Sequence, residues 1–289
     1  MILEEVRKNK VSSFFIVSVF VIVITVGVYA ICMHYDLGIF SVIFALAFSI
    51  ISALISYYNC DKLVLALNGA RPATPEQDLL VDTLLENLCI ASGLPKPRLY
   101  IVSDPAPNAF ATGRNPENAV ICLTTGLIEK LNKYELEGVI AHELSHIKNY
   151  DILLSTVVSV FVGLVVILSD FFSRWAFRGS KNEKNGNAII TLIAIVFIIL
   201  SPIFATLMQL AISRKREYLA DASAVELTRN PDGLISALKT ISEDPLPTQS
   251  ANKSTAHLYI VNPFKQNKDN LMSTHPTIEN RIEALKNIK

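Results

Sequence analysis

Four long apolar blocks divide the chain. They run over Phe14–Met33, Leu37–Tyr58, Ile152–Leu168 and Ala188–Ile212. A helix of about 20 apolar residues crosses a hydrocarbon core of roughly 30 Å, so these blocks predict two membrane hairpins. A secretory signal peptide is the alternative for the first block. That block is too long for a typical signal core, however, and a second apolar block follows it at once.

Basic residues beside the blocks indicate the orientation of the first hairpin. Its short turn contains none, whereas five flank its two ends: Arg7, Lys8, Lys10, Lys62 and Arg71. Cytoplasmic flanks carry the excess of Lys and Arg in membrane proteins. Both ends of this hairpin, and the polar stretch 61–151, are therefore expected to face the cytoplasm.

The second hairpin fits this rule less well. Its connecting segment carries four basic residues that would lie on the far side if both blocks span: Arg174, Arg178, Lys181 and Lys184. Either the first hairpin fixes the topology regardless, or the second pair of blocks is not fully transmembrane. We favour spanning, because an irregular backbone exposed to lipid would leave its polar groups without partners.

The polar segments show the periodic patterns of short helices and strands. Asn132 followed by Glu135 is a capping signal, and it predicts a helix through Ile147. Gly93 ends an amphipathic pattern that begins at Pro75. Together the patterns predict helices over 75–93, 132–147, 213–227 and 276–285, and strands over 98–102 and 119–124 joined by a connection rich in Pro, Asn and Gly.

Composition narrows the class of protein. Basic and acidic residues balance at 26 each, so the basic footprint of a nucleic-acid partner is missing. Charged residues make up 18% of the chain, below the roughly 25% of soluble domains, and hydrophobic residues reach 51%. The four cysteines form no CxxC pair, which argues against a thiolate zinc site or a redox motif. Buried free thiols in a reducing compartment are expected instead.

The sharpest chemical signal is the HExxH motif formed by His142, Glu143 and His146. Residues i and i+4 of a helix lie one above the other, so both imidazoles are directed at one point, where a zinc ion can bind. Glu143 is then placed to reach a water on that zinc and to act as the general base. The spacing therefore predicts a metallopeptidase centre on a capped helix.

A catalytic zinc needs a third protein ligand, and the chain offers Glu217. The extended motif HExxHxxGxxH fails, because Asn149 and Ile152 stand where Gly and His are required. His146 precedes the third apolar block and Glu217 follows the fourth, so a spanning hairpin returns Glu217 to the same face. Glu183 would lie on the opposite side. Asp221 shares a helix face with Glu217 and could accept the other ring N–H of a zinc-bound histidine.

Several segments together resemble the HtpX family of membrane metalloproteases. They are Ala141–His146 with Asp151, Ser213–Ala222, Pro107–Gly113 and Thr274–Pro276. The order of apolar blocks and motifs follows the family over nearly the whole chain, although HExxH alone is shared by many unrelated peptidases. The CAAX prenyl proteases are a more distant resemblance, with the same ligand pattern but more spans.

The resemblance implies a mainly α membrane protein, with four transmembrane helices and a cytoplasmic α+β zincin-like (gluzincin) protease domain. It implies a multi-pass endopeptidase of a bacterial inner membrane that cuts damaged or misassembled membrane proteins under envelope stress, with its active site facing the cytoplasm. Its partners would be these substrates and the lipid bilayer, with no nucleic acid. Self-cleavage is possible in the cytoplasmic loop 244–255.

The resemblance also implies roles for individual residues. His142, His146 and Glu217 would hold one zinc ion per chain, Glu143 would activate water, and Asp221 would orient a ligand. His275 matches a histidine that reaches the active site in the prenyl protease branch, where it could stabilise the oxyanion. From the residues alone, a histidine before proline is more often a plain surface residue. An edge strand that pairs with the substrate backbone would comprise Asn108, Ala109, Phe110, Ala111 and Thr112. His34 and His257 are expected to be bystanders.

These inferences divide the chain into four parts. Residues 1–60 form the N-terminal transmembrane hairpin, and 61–151 form the first part of the catalytic domain with HExxH. Residues 152–212 form the second hairpin, and 213–289 form the second catalytic part with the third ligand.

Two alternative functions stay open: a processing protease for lipidated peptides, and a membrane scaffold with a structural metal site. Structural zinc sites use four protein ligands, so Glu143 and an open fourth position argue against the scaffold.

Overall fold

The structure is a computed structural model that describes residues 2–34, 38, 40–74, 78–161, 163, 214–264 and 276–288. Three sequence predictions lie outside these residues. They are the fourth apolar block with the far end of the third, the position of Glu183, and the role of His275.

The first hairpin consists of helices α1 (Ile2–His34) and α2 (Phe40–Tyr58). Among the described residues, two helices are long and apolar enough to cross a membrane, over Val6–Val26 and Phe40–Tyr58. The buried residues of α2 are all small: Ser41, Ala45, Ser49, Ala53 and Ser56. Its large side chains point outward instead, as Phe40 at 76% and Ile43 at 66% exposure show. Small residues at a helix interface let membrane helices approach closely, so this pattern suits lipid on the outer face.

The remaining elements alternate short helices with a small sheet. They are α3 (Cys60–Leu67), β1 (Ala70–Pro72), α4 (Leu79–Ser92), β2 (Arg98–Val102), β3 (Ala109–Gly113), β4 (Ala119–Thr124), α5 (Thr125–Lys130), α6 (Lys133–Lys148), α7 (Asp151–Phe161), α8 (Arg214–Thr228), α9 (Pro231–Glu243) and α10 (Ile278–Lys286). The fold is thus mainly helical with one mixed sheet.

The sheet presents β3 at its edge. Its strand order is β1-β2-β4-β3, with β2 and β4 parallel and the other two pairs antiparallel. Strands β2 and β4 confirm the predicted strands at the same residues. The Pro-, Asn- and Gly-rich connection between them is not all loop, because β3 lies within it and pairs with β4.

Helix α6 is the element that the local sequence specifies most strongly. The Asn132 side chain accepts hydrogen bonds from the backbone N–H of Tyr134 and Glu135, and the Glu135 side chain accepts one from the Asn132 N–H. The predicted capping box is therefore confirmed. Gly138 lies in this helix against α9, where a Cβ would be 2.9 Å from the backbone nitrogen of Leu234. Glycine thus permits the close approach of α6 and α9.

One helix was not predicted, and one helix boundary differs from the prediction. The missed helix is α9, where the Asn230 side chain accepts a hydrogen bond from the Gly233 N–H and Pro231 takes the first turn. Helix α10 begins at Ile278 rather than Pro276, because the Thr277 side chain accepts a hydrogen bond from the Asn280 N–H and acts as its N-cap.

The first hairpin packs directly onto the sheet and α7. Ile16 and Phe20 of α1 belong to the same buried cluster as Phe110 of β3 and Phe161 of α7. The rings of Phe20 and Phe161 stack with centroids 4.1 Å apart. The three described free cysteines, Cys60, Cys89 and Cys122, are buried as expected.

Candidate metal centre

Two histidines and one glutamate converge between α6 and α8. The Nε2 atoms of His142 and His146 are 3.2 Å apart. Glu217 of α8 places Oε2 3.8 Å from His142 Nε2 and Oε1 3.7 Å from His146 Nε2. One donor atom from each residue lies within 4.8 Å of the other two. Tetrahedral zinc with ligands at about 2.0–2.2 Å separates its donors by roughly 3.3–3.5 Å, so this donor set fits zinc.

A carboxylate holds the remote nitrogen of each imidazole. Asp221 Oδ1 lies 2.9 Å from His142 Nδ1, and Asp151 Oδ2 lies 3.0 Å from His146 Nδ1. Such contacts place the proton on Nδ1 and leave Nε2 free to bind a metal. The sequence suggested this contact for Asp221. It included Asp151 only in a family motif and did not indicate that this residue contacts His146.

Arg281 of α10 is a member of the site that the sequence did not reveal. It is 0% exposed, and it donates to Asp221 through Nε at 2.8 Å and Nη2 at 2.6 Å. Its Nη1 donates to the Ile260 carbonyl at 2.9 Å and lies 3.6 Å from Glu217 Oε2. A basic residue in a short terminal helix gives no local sign of burial. Only the acidic partner 60 positions away explains it.

The Arg281–Asp221 pair stays charged despite its burial. Burial alone would lower the pKa of Arg281, but Asp221 raises it above its usual value. Burial would likewise raise the pKa of Asp221, but Arg281 and the hydrogen bond with His142 lower it below its usual range. The pair therefore fixes the carboxylate that orients His142.

Glu143 is buried beside the three donors, with 1% exposure. Burial raises its pKa to about 7, and the charge of Glu217 adds to this effect. His146, Arg281 and a backbone hydrogen bond from Ala111 act in the opposite direction. A carboxyl group with a pKa near neutrality can both accept and return a proton.

The two histidines differ in their pKa. Burial lowers the pKa of His142 against the raising effect of Asp221. Burial would also lower the pKa of His146, but its hydrogen bond with Asp151 and the surrounding carboxylates raise it to about 9. A metal ligand must be a neutral imidazole, so metal binding at His146 releases a proton.

The predicted substrate strand lies at the sheet edge, but only part of it faces the site. Asn108 precedes β3, and its side-chain amide donates to the Val261 carbonyl at 3.0 Å and to Thr248 Oγ1 at 3.2 Å. This amide therefore holds the C-terminal segment. The side chain of Thr112 contacts Thr156 Oγ1 at 2.9 Å, so it too is engaged within the protein.

The outer edge of β3 is covered at one end by the chain itself. Phe110 and Tyr259 form an antiparallel bridge, and the Ile260 N–H donates to the Ala109 carbonyl at 2.9 Å. Of the five predicted strand residues, Ala111 lines the cavity at the metal centre. This placement makes Ala111 the strand residue nearest the chemistry.

The cavity over the metal centre is small. Its volume is about 40 Å³, and its walls include the segment 257–260. This is room for about three water molecules, whereas sites for larger ligands enclose roughly 300–1,000 Å³. His257 belongs to this wall, and its Nε2 lies 3.2 Å from the Ser155 carbonyl. His257 thus lies close to the metal centre, and its expected role as a bystander stays a prediction.

Comparisons with known proteins agree with this geometry. The profile described as "Peptidase family M48" matches residues 75–289. The chain is 44% identical over 283 residues to a protein named "Protease HtpX homolog" from Dictyoglomus thermophilum, covering 98% of this chain and 93% of that protein. It is 43% identical over 305 residues to a protein of the same name from Listeria monocytogenes serotype 4a, covering 100% of both.

A solved structure shares the fold. The crystal structure of S. mikatae Ste24p matches 98% of this chain and 67% of that chain, with a TM-score of 0.53 and 18% identity. This similarity concerns the arrangement of elements alone.

Proposed function

The chain belongs to peptidase family M48. On this basis we propose which residues bind the metal and which residue transfers protons during peptide cleavage. It is a membrane zinc metalloendopeptidase. His142, His146 and Glu217 hold the zinc ion, and Asp221 and Asp151 orient the two histidines. The convergence of three donor atoms, two of them from buried residues, beside the buried Glu143 is the observation that carries this assignment.

When bound by these residues, zinc would supply Lewis-acid polarisation of the scissile carbonyl and would lower the pKa of a water molecule. Glu143 takes the proton of the attacking water on its carboxylate and later returns it to the leaving amine nitrogen. Three protein ligands leave one tetrahedral position for water or substrate, which is the arrangement of catalytic rather than structural zinc.

We place four spans in the membrane, with the metal centre on the cytoplasmic side. Helices α1 and α2 form the first pair, and the blocks Ile152–Leu168 and Ala188–Ile212 form the second. In the chain, His146 precedes the second pair and Glu217 follows it, yet their side chains lie 3.7 Å apart. The chain between them must therefore begin and end at the same place. A membrane hairpin satisfies this constraint.

A single cysteine at Ser180→Cys tests this topology. A thiol reagent that cannot cross the membrane is expected to label it from the far side only. Labelling from the cytoplasmic side would show that the second pair does not span. The same reagent applied to a cysteine at an exposed residue of α4, such as Glu86→Cys, provides the opposite-side control.

The substrates are extended segments of damaged or misassembled membrane proteins, cut as part of the response to envelope stress. The cavity over the metal is small and the edge strand β3 lies beside it, so an extended segment fits this site better than folded structure. The backbone at Ala111 lies at the sheet edge nearest the metal, where such a strand can pair by β-addition. The exposed loop at Pro245–Pro247 is a segment of this chain available to self-cleavage.

The test is cleavage by the full chain purified in detergent. Unfolded casein and a destabilised membrane protein are expected to be cut, whereas a compact soluble protein is not. Glu143→Gln is expected to keep its zinc and to lower kcat by about 10²–10⁴. Glu137→Gln, on the same helix and partly exposed, is the matched control and should retain activity. Full activity in Glu143→Gln would exclude the proposed base, and cleavage confined to prenylated peptides would favour a processing protease.

A further inference from the structure

The first membrane helix contributes a residue to the metal centre. We propose that Asn9 of α1 is a positioning residue for the peptidase reaction, acting through Asp151 on the ligand His146. Asn9 is 0% exposed, and its Nδ2 donates to Asp151 Oδ1 at 2.7 Å and to the Asn149 carbonyl at 3.0 Å. The other carboxylate oxygen of Asp151 lies 3.0 Å from His146 Nδ1. Two hydrogen bonds thus join a membrane span to a metal ligand. This inference rests on the proposed zinc site.

The chemistry of the contacts fixes the orientation of the Asn9 amide. Both of its partners, a carboxylate oxygen and a backbone carbonyl, are acceptors only. The NH₂ group must therefore face them, since the reversed amide would place its oxygen against two acceptors. Asparagine supplies two donors at the required distance without a charge.

Several contacts hold α1 at the junction of α6 and α7, so the position of Asn9 is fixed by packing on both sides of it. Lys10 Nζ lies 4.2 Å from the ring centroid of Tyr150, and Phe20 stacks on Phe161 further along the helix. Tyr150 has a φ of 59°, a left-handed conformation that residues other than glycine rarely adopt. This left-handed residue separates Asn149 from Asp151, the two residues that Asn9 binds.

A second group also approaches Asp151. Arg216 Nε lies 3.5 Å from Asp151 Oδ1, the oxygen that accepts the bond from Asn9. The carboxylate therefore keeps a cationic neighbour when Asn9 is replaced, and the expected loss is partial. Asn9 contributes orientation instead of charge. Its hydrogen bond of 2.7 Å fixes the rotation of the Asp151 carboxylate, and the carboxylate in turn orients the His146 imidazole.

The position of Asn9 in the chain makes the inference specific. The family match covers residues 75–289, so Asn9 lies outside the segment that defines the peptidase. The first hairpin is then more than an anchor, because the site is incomplete without it. Partners that orient metal ligands typically contribute about 10–100-fold to metal affinity or activity.

The test compares zinc affinity in full-length variants purified in detergent, measured by competition with a chromophoric chelator. Asn9→Leu keeps the shape of the side chain and removes both hydrogen bonds, and a loss of affinity of about 10–100-fold is expected. Ser13→Ala is the matched control, since Ser13 is also buried in α1 but bonds only the Asn9 carbonyl of its own helix. Its affinity should stay within about twofold of the wild type. The visible absorption of the Co²⁺-loaded site is expected to change in Asn9→Leu alone.

A double-variant cycle separates positioning from a general structural role. If Asn9 acts through Asp151, Asn9→Leu has no further effect on zinc affinity in an Asp151→Ala background. Equal losses in both backgrounds, or an Asn9→Leu affinity equal to that of Ser13→Ala, would overturn the inference. If Asn9→Leu does not fold, Asn9→Ser is measured instead, since its hydroxyl is too short to reach Asp151. Failure of the zinc site itself is recognised separately, because Glu217→Gln would then leave zinc binding unchanged.

Discussion

Replacing Arg281 by methionine is predicted to destabilise the protein strongly. Methionine keeps the length of the side chain, but it leaves the Asp221 carboxylate 1% exposed without its cation and the Ile260 carbonyl without its donor. Three hydrogen bonds to Arg281, of 2.6, 2.8 and 2.9 Å, are lost together. Removing one partner of a buried ion pair costs about 3–5 kcal/mol, so the free energy of unfolding should fall by that amount.

The size of this loss in stability depends on the Asp221 carboxylate that stays buried without its partner. A double variant that also replaces Asp221 tests this cause. Arg281→Met with Asp221→Asn also removes the carboxylate that Arg281 binds most closely, while the amide oxygen of the introduced asparagine can still accept a bond from His142 Nδ1. The double variant should therefore recover at least about 1 kcal/mol relative to the sum of the two single variants. Arg214→Met is the control, because Arg214 is exposed at the start of α8 and loses the same charge.

The assay is urea unfolding in detergent, followed by thiol labelling of Cys122 in a chain whose three other cysteines are alanine. Cys122 is 0% exposed in β4, so its labelling reports the opening of the sheet. A chelator is present throughout, because bound zinc would add its own stabilisation to the folded state. The reasoning is refuted if Arg281→Met unfolds at the same urea concentration as Arg214→Met, or if the two single losses simply add.

Three further predictions concern the metal and the metal-bearing helix. Removing zinc with 1,10-phenanthroline should abolish cleavage and adding zinc should restore it, and activity that persists without bound metal would contradict the account. Gly138→Ala should destabilise the protein by about 1–3 kcal/mol in the same urea assay, since its Cβ would lie 2.9 Å from the Leu234 nitrogen; an unchanged midpoint would show that α6 and α9 separate freely. Asn132→Ala removes the capping box of α6 and should cost about 1 kcal/mol, whereas Asn132→Asp should keep most of it.

Local sequence patterns predicted the parts of this protein that local interactions specify. The capping box at Asn132 and the HExxH motif belong to the same helix, so one local pattern predicts both the helix and two of the three donors. Strands β2 and β4 followed from their apolar runs. The prediction of Glu217 as the third ligand required one further inference, that a membrane hairpin returns the chain to the same side.

Most of the contacts that the sequence did not predict are long-range, and the contact between Asp151 and His146, five positions apart, is the exception. Asn9 and Asp151 are separated by 142 positions, and Arg281 and Asp221 by 60. Neither Asn9 nor Arg281 carries a local sign of its buried partner. The bridge between Phe110 and Tyr259 could not be predicted either, since the segment around Tyr259 shows no strand pattern that indicates its partner. Folding alone brings these pairs together.

The central claim is that three side chains hold a catalytic zinc, and Glu217 tests it most directly. The measurement is bound zinc per chain together with casein cleavage, in the wild type, in Glu217→Gln and in Glu226→Gln. Glu226 is the matched control, a glutamate on the same helix that is exposed. The account predicts one zinc and active enzyme for the wild type and Glu226→Gln, and loss of both zinc and cleavage for Glu217→Gln. Full zinc binding and cleavage in Glu217→Gln would contradict it.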